Sequence, residues 1–245
     1  MRSGVGRSRT FYLLVAVAML LGTGLQAPIA WPQTTQPLPK DAARELVRAA
    51  LLQYFDPASV FDISVSGVTL SGEVLSIDDL LVAGKPALLR GFRGDFLAHI
   101  TGLKLDAAGA LAPQPQARAV KDVTIVARTT AQAAEEGLSK TSPSILRPTI
   151  RFQAGQFELA ATLRREDKLY PIQAIGTLLV EARQRVNLSL SRVLVSGGDI
   201  PEGVITQELL KLNPVLDASH WPFNVQIQRL TLHNDAIEVL LRNSK

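Results

Sequence analysis

Cysteine is absent from the 245-residue sequence, and histidine occurs only three times. Without cysteine the chain cannot form disulfides, thiolate metal sites or a cysteine nucleophile. His99, His220 and His233 lie far apart in the sequence. We therefore expect no histidine-built metal site and no cofactor.

The sequence motifs of common enzymes are also missing: there is no Gly-x-Ser-x-Gly elbow, no His-Glu-x-x-His pair and no Gly-x-x-x-x-Gly-Lys loop. Asp217, Ser219 and His220 do crowd into one short stretch. Because the members of a catalytic triad normally come from separate elements, this stretch favours a turn capped by Asp217 and Ser219. We expect no catalytic residues and no enzymatic activity, with a lipid or glycan hydrolase built on Ser219 and His220 as the alternative.

A strong excess of one charge is missing as well. The formal net charge is +4, but Arg2, Arg7 and Arg9 stand before any acidic residue, and 23 basic residues face 22 acidic residues beyond position 30. A chain with so balanced a charge has no general electrostatic attraction to DNA or RNA. We expect no nucleic-acid partner.

The first thirty residues resemble a targeting segment. Three arginines precede an unbroken apolar run over 11–21, which is typical of an export signal and short of the roughly 20 residues of a membrane span. Cleavage after export and retention as an N-terminal membrane anchor both stay open. We predict a signal or anchor over 1–30, a proline-containing linker over 31–39 and one domain over 40–245, located in the periplasm or cell envelope.

Three segments have the pattern of helices. Residues 40–55 are amphipathic and are followed by Asp56-Pro57, so we expect a helix that packs on a sheet, with a position on a membrane surface as the alternative. A capping pattern at Thr129 and Gln132 predicts a helix over 130–136 that ends at Gly137. Pro201 predicts the start of a third helix over 202–212.

The rest of the chain has a period of two with one recurrent irregularity. In four segments the alternation of apolar residues slips by one position, which would turn the later residues toward solvent unless a bulge restores the face. Gly67 and Gly102 lie at two of the slips. The pattern favours an α+β protein with a long, strongly curved antiparallel sheet, and four ordinary strands are the alternative. The positions are Phe61, Ile63, Val65, then Val68, Leu70; Phe96, Ala98, Ile100, then Leu103, Leu105; Val186, Leu188, Leu190, then Val193, Val195; and Phe223, Val225, Ile227, then Leu230, Leu232.

Turn signals and further strands complete the predicted topology. Strands are also expected over 123–127, 157–163 and 170–180, and a loop over 107–117. A hairpin signal follows each slipped segment, at Ser71-Gly72, Ala108-Gly109, Gly197-Gly198 and Asn234-Asp235.

Basic residues form two groups in the sequence. In a nearly neutral chain we expect them at solvated strand edges, with contact to anionic lipid head groups as a second possibility. The groups are Lys85, Arg90 and Arg93, and then Arg147, Arg151, Arg164, Arg165 and Lys168.

Over about 41–241 the order of these features resembles the LmeA-like phospholipid-binding family of bacterial envelope proteins. The resemblance lies in the spacing of apolar, Gly and Pro residues over 61–70, 213–217, 221–225 and 230–239. It implies a tubular (TULIP-like) lipid-binding fold, a curved sheet wrapped around helices, and a phospholipid as the ligand. It carries no catalytic motif.

The residues and the resemblance together predict a function. An aliphatic concave face would bury acyl chains at about 0.8 kcal/mol per CH₂ without any catalytic group. We expect an exported protein that binds phospholipid near a membrane surface as a carrier, sensor or accessory, and a ligand-free envelope scaffold is the alternative. The expected lipid-binding residues are Phe61, Ile63, Val65, Val186, Leu188, Leu190, Phe223, Val225 and Ile227.

Overall fold

A computed structural model describes residues 36–52, 55–72, 74–89, 92–106, 117–153, 155–166, 168–196, 201–219 and 221–243. All of them belong to the compact unit Gln33–Lys245. The predicted signal or anchor over 1–30 lies outside the described residues, as does the linker up to position 35. No helix within the described ranges is long and apolar enough to cross a bilayer.

Thirteen strands and three α-helices occur in these ranges. The helices are α1 (Lys40–Leu51), α2 (Ala131–Thr141) and α3 (Glu202–Leu210). The strands are β1 (Gln36–Pro37), β2 (Phe61–Ser71), β3 (Val74–Leu89), β4 (Phe92–Asp106), β5 (Ala117–Ala119), β6 (Asp122–Thr130), β7 (Ile145–Gln153), β8 (Gln156–Arg165), β9 (Lys168–Glu181), β10 (Arg185–Val195), β11 (Leu216–Asp217), β12 (Val225–Leu232) and β13 (Ala236–Asn243).

The strands form two antiparallel sheets. Sheet A has the order β1-β2-β3-β4-β6-β13-β12, with β5 paired to β4, and sheet B has the order β11-β10-β9-β8-β7. Sheet A curls strongly into a half-barrel. The predicted α+β class with a curved antiparallel sheet is confirmed, but the prediction that all four slipped segments share one sheet is wrong. Three of them lie in sheet A, and the segment 186–195 lies in sheet B. The prediction failed because the local spacing of apolar residues does not specify which strands pair.

In sheet A the slips line up across neighbouring strands. Ser66 pairs with Asp79 and Val68 with Ile77, so Gly67 and Asp78 are left unpaired opposite each other. The β3–β4 ladder likewise passes over Asp78 and Gly102. Both glycines have a φ of 60°, a left-handed conformation that costs glycine little. The line from Gly67 through Asp78 to Gly102 is a crease, and the sequence pattern did not reveal its middle member.

The other two slips are β-bulges, as predicted. The β9–β10 register shifts between Leu190 and Arg192, which leaves Ser191 as the extra residue. The β12–β13 register shifts between Ile227 and Arg229. Beyond the bulges, Val193 is buried and Leu230 packs against the core. The apolar face therefore continues through each bulge.

The turn and strand predictions have mixed outcomes. The hairpins at Ser71-Gly72 and Asn234-Asp235 join β2 to β3 and β12 to β13. Gly197-Gly198 lies outside the described residues, and the next described element after β10 is helix α3. Ala108-Gly109 lies outside the described residues. The strands expected over 123–127, 157–163 and 170–180 lie within β6, β8 and β9, whereas β7 was not predicted.

The predicted helices are present with shifted ends. Helix α1 ends at Leu51, four residues before the predicted end. Helix α2 is capped by Thr130, whose side-chain oxygen accepts a hydrogen bond from the Ala133 N–H, and it continues past Gly137. Gly137 is buried inside the helix, so its prediction as the helix terminus is wrong. Helix α3 runs from Glu202 to Leu210.

The buried apolar residues form two cores. Core 1 combines sheet A with Ala43 and Val47 of α1, with Val186 of β10 and with Ala218. Core 2 combines sheet B with Leu138 of α2 and with α3. Leu178 and Ile237 contact both cores, so the two cores are continuous through these two side chains.

Candidate functional site

The nine predicted lipid-binding residues do not share one face. Phe61, Ile63, Val65, Val186, Val225 and Ile227 are buried in core 1, and Phe223 packs against it. Leu188 and Leu190 are half-buried against core 2. Phe223 also precedes its strand, in the 3-10 turn Pro222–Asn224. The structure therefore brings together seven of the nine and separates the other two.

The inner face of sheet A is aliphatic over its whole width. Strands β2, β3, β4, β6, β12 and β13 all contribute fully buried or nearly fully buried apolar side chains to core 1. Helix α1 packs chiefly against β2. It contributes two buried side chains, Ala43 and Val47, and its Leu46 and Leu51 are partly buried against the same core. Six strands of apolar surface thus meet one short helix, and Val186 of β10 and Ala218 complete the core.

An aromatic cluster lies at one end of this face. The rings of Phe55 and Phe96 stack with centroids 5.0 Å apart, and Phe61 meets both rings edge to face. Phe55 follows the end of α1, and its N–H donates to the carbonyl oxygen of Leu51. Sequence reasoning missed Phe55, because it was placed at the end of a longer helix.

The chain between α1 and β2 is tied to the end of β3 by backbone hydrogen bonds. The Asp56 N–H donates to the Leu88 carbonyl oxygen at 2.9 Å, and the Leu88 N–H donates to the Ser59 hydroxyl oxygen at 2.9 Å. Two large apolar side chains here are exposed, Leu52 at 39% and Val60 at 58%. This end of sheet A, with Phe55, is called the mouth below.

Beyond the short strand β11, the outer edge of strand β10 forms its hydrogen bonds with a side chain. Strand β11 pairs only with Arg185 and Val186. The Asn213 amide then takes the next position: its oxygen accepts from the Leu188 N–H at 2.6 Å, and its nitrogen donates to the Leu188 carbonyl oxygen at 3.1 Å. Residues 213–217 therefore form the edge of sheet B, and this role explains the motif in structural terms.

Asp217 and Ser219, which the sequence had suggested as part of a catalytic group, form the predicted turn. The Asp217 carboxylate accepts hydrogen bonds from both the N–H and the hydroxyl of Ser219, at 2.9 and 2.5 Å. Arg185 lies 3.4 Å from the other oxygen of Asp217. His220 lies outside the described residues. The described members of this group form a capped turn in which the serine hydroxyl donates to a carboxylate.

No cluster of three or more potential metal ligands occurs in the described part of the chain. The described histidines each lie beside a single carboxylate. His99 Nε2 is 2.5 Å from Asp79 Oδ1, and His233 Nε2 is 4.0 Å from Glu238. His99, Asp79 and His233 are exposed and Glu238 is half-buried, and neither pair has among the described residues the further ligands that a metal ion requires.

Two surface cavities are lined by described residues. One, of about 250 Å³, lies between the β3–β4 hairpin and α2, close to the mouth, and is lined by Pro86, Leu88, Arg93, Ala133, Glu136 and Lys140. The other, of about 390 Å³, is more open and lies beside the Ser191 bulge and α3. Of the residues that line the first cavity the sequence had singled out Arg93, whereas Lys140 could have been found only from its spacing on α2. The second cavity is lined by Leu190, one of the predicted lipid-binding residues, and by Val193.

Comparison of the chain with protein families, with curated proteins and with solved structures gave no match.

Proposed function

We propose that the protein is exported to the cell envelope and binds phospholipid acyl chains, without catalysis, against the inner face of sheet A. The proposal follows the resemblance to the LmeA-like family and takes the curled sheet around α1 as a TULIP-like arrangement. The observation that carries it is that six strands place apolar side chains on one inner face, while the one described helix on that face, α1, adds two buried side chains and the partly buried Leu46 and Leu51.

The acyl chain has to replace a part of the protein, since the residues of the inner face are buried. Helix α1 is the element best placed to move, because it packs chiefly on one strand. Exposing Ala43 and Val47 would cost about 2–3 kcal/mol, and the partly buried Leu46 and Leu51 add about 1–2 kcal/mol. An acyl chain gains about 0.8 kcal/mol per buried CH₂, so roughly eight methylenes exceed this cost.

The absence of cysteine provides a direct test. The full chain is purified with a single Ala49→Cys substitution on the exposed side of α1 and labelled with an environment-sensitive fluorophore. It is then mixed with vesicles of phosphatidylethanolamine and phosphatidylglycerol. We expect lipid to be retained after gel filtration, as detected by native mass spectrometry, and the fluorescence at position 49 to change with lipid uptake.

Gln207→Cys on the exposed side of α3 is the matched control, since α3 packs on sheet B. Its fluorophore should respond little to lipid. Equal responses at positions 49 and 207 would contradict the displacement of α1, and a protein that retains no lipid would contradict the proposed function itself.

A ligand-free envelope scaffold is the second candidate. It is favoured by the burial of Phe61, Ile63 and Val65, each at most 6% exposed. In that case the native side chains fill the half-barrel permanently. The same experiment separates the two functions, because a scaffold retains no lipid and leaves both fluorophores unchanged.

A further inference from the structure

The cavity between the β3–β4 hairpin and α2 combines positive charge with an apolar lining. Arg93 and Lys140 contribute the positive charges and Glu136 the negative charge, while Pro86, Leu88 and Ala133 are apolar. The net charge of the lining is therefore +1. A site of this kind suits a singly charged anion attached to an apolar body.

The hairpin and the helix that form this cavity are held together close to it. The Thr129 hydroxyl donates to the Arg93 carbonyl oxygen at 2.5 Å. One residue further on, Thr130 caps α2. Ala133, Glu136 and Lys140 then follow at i, i+3 and i+7, which places them on the same face of the helix. The position of Arg93 is thus fixed relative to the helix that contributes Lys140.

The two positive charges have no opposite charge paired with them in the part of the chain that the structure describes. Neither Arg93 nor Lys140 forms an ion pair with any described residue, whereas the Glu136 carboxylate accepts a hydrogen bond from the Gln132 amide at 3.2 Å. Arginine and lysine are the side chains that bind phosphate oxygens most favourably. The Glu136 carboxylate would repel a second negative charge on the ligand, and it can accept a hydrogen bond from a hydroxyl or ammonium group of the ligand.

We propose that this cavity binds the phosphodiester of a glycerophospholipid head group, with Arg93 and Lys140 on the phosphate oxygens and Glu136 on the polar substituent beyond it. The assignment rests on the proposed function, because the acyl chains of the same lipid would enter sheet A at the adjacent mouth. The backbone bonds that join residues 56–60 to the end of β3 place the mouth and the cavity on neighbouring parts of the chain.

The test compares phosphatidylglycerol with diacylglycerol, which has the same acyl chains and no phosphate. Binding to the full chain is measured by native mass spectrometry for the wild type, for Arg93→Gln/Lys140→Gln and for the control Lys104→Gln/Arg242→Gln. All four side chains are exposed, and the two variants lose the same charge. Circular dichroism checks that both variants fold.

We expect the Arg93→Gln/Lys140→Gln variant to bind phosphatidylglycerol at least about tenfold more weakly, because each lost basic contact reduces the binding free energy by about 1 kcal/mol. Its binding of diacylglycerol should be unchanged, and the control should bind both lipids like the wild type. Unchanged binding of phosphatidylglycerol by the Arg93→Gln/Lys140→Gln variant would overturn the assignment. An equal loss in the control would also overturn it, since general surface charge would then be responsible.

A third ligand, glycerophosphoglycerol, separates failure of the head-group site from failure of the proposed function. If the wild type retains neither lipid, acyl-chain binding has failed. The assignment then depends on NMR titration with this soluble phosphodiester. Binding that is lost in Arg93→Gln/Lys140→Gln would support a site for a free phosphodiester, and no binding would overturn the site.

Discussion

Phe61 and Phe96 lie on strands that are not neighbours, yet their rings meet edge to face with centroids 6.0 Å apart. The residue between them on β3 is Gly84, which pairs with Phe61 on one side and with Phe96 on the other. A Cβ atom built on Gly84 would lie 2.5 Å from the Phe96 ring. The missing side chain is therefore what lets the two rings come together at the mouth.

Gly84→Ala should destabilise the protein by about 1–3 kcal/mol, because the added methyl group forces the Phe96 ring out of its position in a packed core. The measurement is urea unfolding of the full chain followed by circular dichroism. Gly203→Ala in α3 is the control. No atom lies within 4 Å of a Cβ added there, and alanine is favoured over glycine in a helix by about 0.5–1 kcal/mol. Equal effects at the two positions would contradict the proposed clash.

Gly67→Ala should cost more stability than Gly72→Ala. Both glycines have a positive φ, near 60°, so alanine is strained at both by roughly 1–2 kcal/mol. A Cβ atom at Gly67 would also lie 2.6 Å from the Cβ of Asp78, whereas one at Gly72 has no atom within 4 Å.

Asp78→Gly removes the side chain across the crease from Gly67. In this background we expect the extra cost of Gly67→Ala to disappear, which a double-mutant cycle measures as a coupling free energy. A coupling near zero would show that the crease imposes only the backbone strain and no contact between the two residues.

Asn213→Ala should destabilise the protein by about 2–3 kcal/mol, because it leaves the partly buried N–H and carbonyl groups of Leu188 without their side-chain partner. Urea unfolding measures the loss. Asn187→Ala is the control, since the Asn187 amide bonds only to the exposed Glu181 carboxylate and should change stability by less than about 0.5 kcal/mol. A similar loss at both positions would argue against the special position of Asn213 at the edge of β10.

Local signals predicted the local features of this fold well. Alternation located most strands, and the phase slips located the bends, because a side chain on the wrong face of a half-buried strand is costly. Strand β7 escaped prediction because Arg147 and Pro148 break its alternation, and the register shifts at the same place. The slip in β3 was not predicted because its two central residues, Asp78 and Asp79, are both charged and interrupt the apolar alternation.

Long-range pairing could not be predicted from the same signals. Strands β6 and β13 are neighbours although more than a hundred residues separate them. Nothing in the spacing of Leu188 or Val225 shows that one packs against core 2 and the other lies in core 1. The structure therefore brings seven of the nine predicted lipid-binding residues together and places Leu188 and Leu190 against the other core. The charged cavity escaped for the same reason, since Arg93 and Lys140 come from different elements.

The cap of α2 links stability to the charged cavity. The Thr130 side-chain oxygen accepts from the Ala133 N–H at 3.1 Å, so Thr130→Ala should destabilise the protein by about 1 kcal/mol. Thr130→Ser keeps the hydroxyl and should lose much less. Hydrogen exchange should become faster at the amides of the first turn of α2 in the alanine variant alone. If the serine variant lost as much protection as the alanine variant, the hydroxyl would not be the group that stabilises this end of the helix. The Thr130 cap would then not explain how Ala133 and Lys140 are positioned at the cavity.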